Sequence, residues 1–166
     1  MALWYFWIYS FLGYLLEKAY AALTHGAHQR RRCFLLLPMC PVYGLGMLAV
    51  LALAPAWDEG LWLIAVGGLA TTAVEYGVHW AYETLLGVRF WDYSQVPGNL
   101  NGRVCLPFTM AWGVLSAAAV WWVQPWVEAV VREIPPAATY GFLMIFAADA
   151  LLTARFLWVT HDIEGL

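Results

Sequence analysis

The chain alternates long apolar runs with short polar ones, and five apolar runs reach the ~20 residues that a membrane-spanning helix needs. They lie at about 3–23, 35–54, 61–86, 104–122 and 139–160. The first is interrupted late by Glu17 and Lys18. The second opens with Pro38 and Pro41, which suit a first turn or a kink but not a regular helix interior. The third is the longest and carries Glu75, His79 and Glu83; the fourth has Pro107 near its first turns; the fifth contains Asp149 and ends near Arg155. This pattern predicts an all-α integral membrane protein, a single domain over residues 1–166 built as a bundle of five transmembrane helices.

Between the third and fourth runs lies the longest polar stretch, residues 89–103, with two arginines, one carboxylate, Asn99, Asn101 and the tetrad Trp91-Asp92-Tyr93-Ser94. Its Pro97-Gly98 and Asn101-Gly102 pairs break any helix and favour an ordered loop. Counting basic residues on alternate sides places Lys18, Arg30, Arg31, Arg32, Arg89, Arg103 and Arg155 together, and Arg132 alone opposite. By the positive-inside rule the N-terminus is then outside and the C-terminus cytoplasmic, with the 89–103 loop cytoplasmic. The loop with Asp58 and Glu59, and the loop at 128–136, are expected outside.

Composition sharpens this picture. Hydrophobic residues make up 63% and charged residues 11% of the chain, against roughly 45–50% and 25% in soluble domains. Eleven tryptophans and nine tyrosines fit rings that collect at the membrane–water boundary. No basic face exists for nucleic acid. The N-terminus lacks a basic region and a small-residue cleavage site, and reads as the start of a retained helix. Cys33, Cys40 and Cys105 form no CxxC pair and point to neither a disulfide framework nor a zinc site.

Charge inside a bilayer is costly and usually faces the bundle interior, where it marks function. Glu75 lies roughly 21 Å from the outer end of its helix at 1.5 Å per residue, in the cytoplasmic half, and Glu17 reaches a similar depth. Thr71, Glu75, His79 and Tyr82 share one helix face, as do Ser10, Gly13, Tyr14 and Glu17. Turned toward each other and toward Arg89, Asp92 and Arg103, these faces make a polar pocket beneath the loop. The plainer readings stand beside this one: Glu17 snorkels to the interface, Glu75 ties helices together through Arg89 or Arg103, and His79 is a satisfied interior histidine. Glu83 is expected to be solvated at its helix end. Asp149 has no obvious partner on its own face, and is a secondary candidate for a proton or cation site. Arg30–Arg32 read as a topology anchor, and Cys40 and Cys105 as reduced thiols beside cytoplasmic loops. No metal motif and no cofactor motif is present.

Several blocks, in order from Tyr9 to Gly113, carry a family resemblance: Tyr9-Ser-Phe-Leu-Gly-Tyr-Leu-Leu-Glu17, Cys40-Pro-Val-Tyr-Gly44, Val74-Glu75, Arg89-Phe-Trp-Asp-Tyr-Ser94, Asn99-Leu-Asn-Gly-Arg-Val-Cys-Leu106 and Trp112-Gly113. Together they resemble the bacterial "putative ABC-transporter type IV" permease family, and more distantly the transmembrane protein 229-like proteins. The resemblance implies a multi-pass protein of the bacterial cytoplasmic (inner) membrane, and as site residues Glu17, Cys40, Tyr43, Glu75, Arg89, Trp91, Asp92, Tyr93, Asn99, Asn101 and Arg103. The fifth run, with Asp149, lies outside the matching blocks.

Three functions compete. The first is a small membrane transporter or permease-like subunit of unassigned substrate. Glu17, Glu75, His79, Arg89, Asp92, Asn99, Asn101 and Arg103 would form its substrate or proton site, with Cys40, Tyr43, Trp91, Tyr93 and Asp149 in support. The second is a membrane-embedded enzyme acting on a lipid or isoprenoid head group, its arginines holding phosphate. The third is a non-catalytic scaffold or regulator. Transport is the preferred reading, because a polar site in a membrane is visible and a catalytic constellation is not. No Walker A loop exists, so ATP-driven transport needs a separate ATPase. So narrow a bundle also calls for a homodimer or another membrane subunit.

Overall fold

A computed structural model describes residues 1–23, 33–54 and 60–165. Arg30–Arg32, Asp58 and Glu59 lie outside the described residues. Five helices run through the rest: α1 (Ala2–Leu23), α2 (Pro41–Leu53), α3 (Gly60–Leu86), α4 (Leu106–Arg132) and α5 (Pro136–Thr160). Of these, α3, α4 and α5 are long and apolar enough to cross a membrane.

Two segments depart from the sequence expectation. Residues 35–40 are not helical, and α2 begins only at Pro41, leaving 13 residues, about 20 Å of helix against a ~30 Å hydrocarbon core. Proline at the first helical position needs no N–H partner, whereas Pro38 cannot continue a helix backwards. The bent run is pinned from both sides. Cys40 N–H donates to the Ser10 carbonyl of α1 at 2.9 Å, and the Leu36 and Leu37 amides donate to Asp149 of α5.

The fourth helix, in contrast, does not stop at 122. It continues to Arg132 through a widened π turn at Ala119–Val123. Pro125 lacks an N–H and crowds the carbonyl four residues back, and a widened turn absorbs that defect without ending the helix. Glu128 and Arg132 therefore pair one turn apart on a helix instead of lying in a loop.

Consecutive helices pack through small residues. A Cβ at Gly44 would fall on the Phe6 carbonyl of α1, and one at Gly113 on the Ile64 carbonyl of α3, so both seams depend on backbones in close approach. Tyr9, Val50, Leu63, Ala117 and Val127 fill the layer between α1, α2, α3 and α4. Helix α5 closes the bundle at both ends. Trp7 meets Phe142 with ring centroids 4.6 Å apart, and Leu157 packs on Leu86 and Val88.

Between α3 and α4 the chain turns back on itself over residues 87–105. Gly87 (φ 68°) terminates α3 in the left-handed region. The chain then returns to a short antiparallel hairpin, β1 (Asn99–Leu100) with β2 (Val104–Cys105). Asn101 (φ 56°) and Gly102 (φ 69°) make the tight reversal between them, which asparagine and glycine tolerate best.

Candidate functional site

Glu75 is buried in the middle of α3, 6% exposed. Its carboxylate accepts a hydrogen bond from the Tyr93 hydroxyl at 3.2 Å and another from the Trp112 indole N–H at 3.0 Å. Tyr93 comes from the loop and Trp112 from α4, so one acid joins three separate elements. On the other side, Tyr43 of α2 donates its hydroxyl to Glu17 of α1 at 2.6 Å. The two arms meet where the Tyr43 and Trp112 rings stand edge to face, 5.2 Å apart. Gly13, one turn before Glu17, permits this: a Cβ there would collide with the Tyr43 ring.

These side chains line a cavity of about 400 Å³, within the size range of small-molecule sites. Its wall is mostly apolar and aromatic, with Trp91 and Tyr93 on the loop side and Thr71 one turn from Glu75 on α3. Glu17 and Glu75 are its acids, and no basic side chain among the described residues lines it. Each buried oxygen with a donor recovers part of the cost of leaving water.

The rest of the expected polar site lies elsewhere. Arg89 and Arg103 do not reach Glu75; both go to Glu83. Arg103 donates Nε and Nη2 to one Glu83 oxygen at 3.2 and 2.9 Å, and Arg89 pairs with the other oxygen. Glu83 is thus an anchor for the loop instead of a solvated helix end. Arg103 Nη1 also donates to the Tyr76 hydroxyl at 2.7 Å, as does Asn101 at 2.9 Å. The Glu83 carboxylate, first among its neighbours, raises the Arg103 pKa and holds the guanidinium charged.

Asp92 and Asn99 fold the loop itself. Asp92 accepts from the Ser94 hydroxyl and from its backbone N–H at 2.8 Å; the hydroxyl contact, ahead of the amide, holds the Asp92 pKa below the usual carboxylate range. Asn99 donates to the Val96 carbonyl at 2.8 Å and accepts from Gly102 N–H at 3.0 Å. Asp92 and Asn99 are not among the residues lining the cavity, and neither are Asn101, Arg89 and Arg103.

His79 also turns away from the cavity. Its Nε2 bonds the Trp91 carbonyl at 3.0 Å, and its Nδ1 has no hydrogen-bond partner, with Glu83 3.9 Å away. Asp149 pins the bent run: besides the Leu36 and Leu37 amides at 3.2 and 2.9 Å, it accepts from Thr153 at 3.3 Å on its own helix face. Cys40 is not a lone thiol, for the bend at 34–38 joins it to Cys33, with Cα atoms 4.9 Å apart. Among the described residues no three of His, Cys, Asp or Glu converge as a metal site.

Sequence reasoning placed Glu17, Tyr43, Glu75, Trp91 and Tyr93 near one another, and all five line the cavity. It gave Trp112 and Tyr76 no role. The signal for Trp112 was its indole N–H, a donor that needs an acceptor once it is buried.

A family model for proteins described as "Putative ABC-transporter type IV" matches residues 4–154 of the chain. No curated protein and no solved structure matches it.

Proposed function

Since this chain belongs to the "Putative ABC-transporter type IV" family, we propose that it is the membrane-embedded subunit of a small-solute transporter. In this reading the 400 Å³ cavity is the solute site. Five passes, an external N-terminus and a cytoplasmic C-terminus follow from the distribution of arginines, with the bent run 35–40 and α2 together counted as the second pass. A separate ATPase supplies the drive, and the Glu83–Arg103–Tyr76 network fastens the loop that roofs the site.

One observation carries the reading. A ligand-sized cavity between helices holds two carboxylates that aromatic donors from three other elements keep in place. A purely structural carboxylate needs no cavity beside it. Asp149, with both oxygens committed to backbone amides and Thr153, is what such a residue looks like.

The head-group enzyme has less support. Arg89 and Arg103, which would hold phosphate, are engaged by Glu83, and among the described residues they do not line the cavity. The test is solute flux in bacterial cells deleted for the chain, across a panel of labelled solutes. The expected result is a solute whose flux falls on deletion and returns with the parent chain, but not with Glu75→Ala at equal abundance. Full restoration by Glu75→Ala for every affected solute would contradict it.

A further inference from the structure

We infer that the solute enters the cavity sideways, out of the bilayer, and is an amphiphile: a single alkyl chain with a small polar group. This inference rests on the cavity being a solute site, and on the five-pass arrangement that sets its flank in hydrocarbon. Helices α1 and α4 meet at two levels. Toward the outer end Tyr9 donates its hydroxyl to Gln124 at 2.9 Å. Toward the cytoplasmic end the Tyr20 and Phe108 rings meet edge to face, with centroids 6.4 Å apart. Roughly 16 Å of α1 separates the two contacts, at 1.5 Å per residue. Between them the wall opens. Among the described residues that line the cavity, the exposed ones are Leu12 and Leu16 of α1, at 37% and 38%, and Leu115 of α4, at 41%. The opposite wall is closed, with Met47 of α2 and Glu75 of α3 each 6% exposed.

The two ends of the cavity are packed. On the outer side Tyr9, Leu63 and Val127 belong to the core layer. On the cytoplasmic side Tyr93 stacks on Phe108, with centroids 5.0 Å apart, and Trp91 donates its indole N–H to the Arg103 carbonyl at 2.9 Å. The side window is thus the open flank, and it gives onto lipid. A hydrophilic solute would have to shed its water into hydrocarbon before using it, whereas an amphiphile is already there. The wall matches such a molecule. Its exposed part is aliphatic, and its buried part holds Glu75 and Ser116, so a polar group goes deep while the chain trails through the window. A volume of about 400 Å³ is at the small end of ligand sites, with room for one chain and not for a two-chain phospholipid.

The route can be tested with no knowledge of the natural solute. The purified chain in nanodiscs is irradiated with a long-chain alcohol that carries a diazirine on its chain, and labelled residues are located by peptide mass spectrometry. Met47 reports the interior of the cavity, and Met144 of α5, 74% exposed, reports the outer lipid face. Leu115→Trp and Leu12→Trp each fill the window from one side. In a second measurement Thr71→Cys, whose side chain lines the cavity, is treated with the neutral, water-soluble reagent hydroxyethyl methanethiosulfonate. The parent chain is its control, because Cys105 is buried and Cys33 and Cys40 are joined. Ala118→Cys, also in the wall, replaces Thr71→Cys should that variant fail to fold.

The expected result is label at Met47 as well as Met144, with the Met47 label falling severalfold in whichever tryptophan variant folds while the Met144 label stays. Label at Met47 no greater than at Val50, a core residue 1% exposed, would overturn the membrane route. So would a Met47 label that ignores both tryptophans. If the thiol reagent still modifies the cavity cysteine in either case, the solute site stands and is filled from water. No label at Met47 and no thiol reaction would remove the site, and with it the transport reading.

Discussion

Trp112 of α4 donates its indole N–H to the Glu75 carboxylate of α3 at 3.0 Å, and thereby fixes the acid that three elements share. Deleting that donor leaves a buried carboxylate short of a hydrogen bond, a loss worth roughly 1–3 kcal/mol. Trp112→Phe, which keeps a ring and removes the N–H, should therefore lower the thermal midpoint of the detergent-solubilised protein. An unchanged midpoint would mean that the bond contributes nothing to stability.

Helix spacing gives a sharper stability contrast. Gly113 lies so close to the Ile64 carbonyl that a Cβ cannot be placed without moving α3 from α4, whereas Gly141 of α5 has open space around it. Gly113→Ala should reduce the yield of monodisperse protein severely. Gly141→Ala should be neutral or gain up to about 1 kcal/mol, the helix-propensity difference between the two residues. Size-exclusion profiles of the two variants separate these outcomes.

The loop should respond to pH through Asp92. Its pKa is lowered by the Ser94 hydroxyl and amide, so it binds fewer protons folded than unfolded above its folded value. Its contribution to loop order is therefore complete at neutral pH, and is lost only as pH falls through a value below the ordinary carboxylate range. Hydrogen exchange of the 92–102 amides, compared between the parent and Asp92→Ala, should differ at neutral pH and converge in strong acid. A difference that persists undiminished in strong acid would assign the effect to packing.

Cys33 and Cys40 have Cα atoms 4.9 Å apart, inside the range a disulfide spans. In the proposed orientation, with the arginines cytoplasmic, the pair would face a reducing compartment that opens the bond. Alkylation in intact cells should find two thiols, and mild oxidation of the purified protein should close the bond without loss of fold. A closed bond in freshly lysed, alkylated cells would argue for the opposite orientation.

Much of this arrangement was legible in the sequence, and the reasons differ by element. Helical spacing put Glu17 and Glu75 on facing sides because 3.6-residue periodicity survives any change in helix ends. The bounds of α2 and α4 were not legible. Pro38 and Pro125 look alike as breakers, yet one lies in the non-helical run before α2 and the other is absorbed by a π turn. The arginine partners were misread for a related reason. Glu75 and Glu83 lie on the same helix, and only the path of the loop after Gly87 decides which receives Arg89 and Arg103. The partners of Asp149 depend on the bend at 35–40: Pro38 and Pro41 signal a kink there, but not that the Leu36 and Leu37 amides reach α5.

The most direct test compares the solute flux carried by Glu75→Ala and Asp149→Ala at matched abundance in the membrane. Both remove one buried acid from the bundle. The expected result is flux abolished by Glu75→Ala and retained by the Asp149→Ala protein that folds. Equal flux through the two variants would contradict the assignment of the Glu17–Glu75 cavity as the working site.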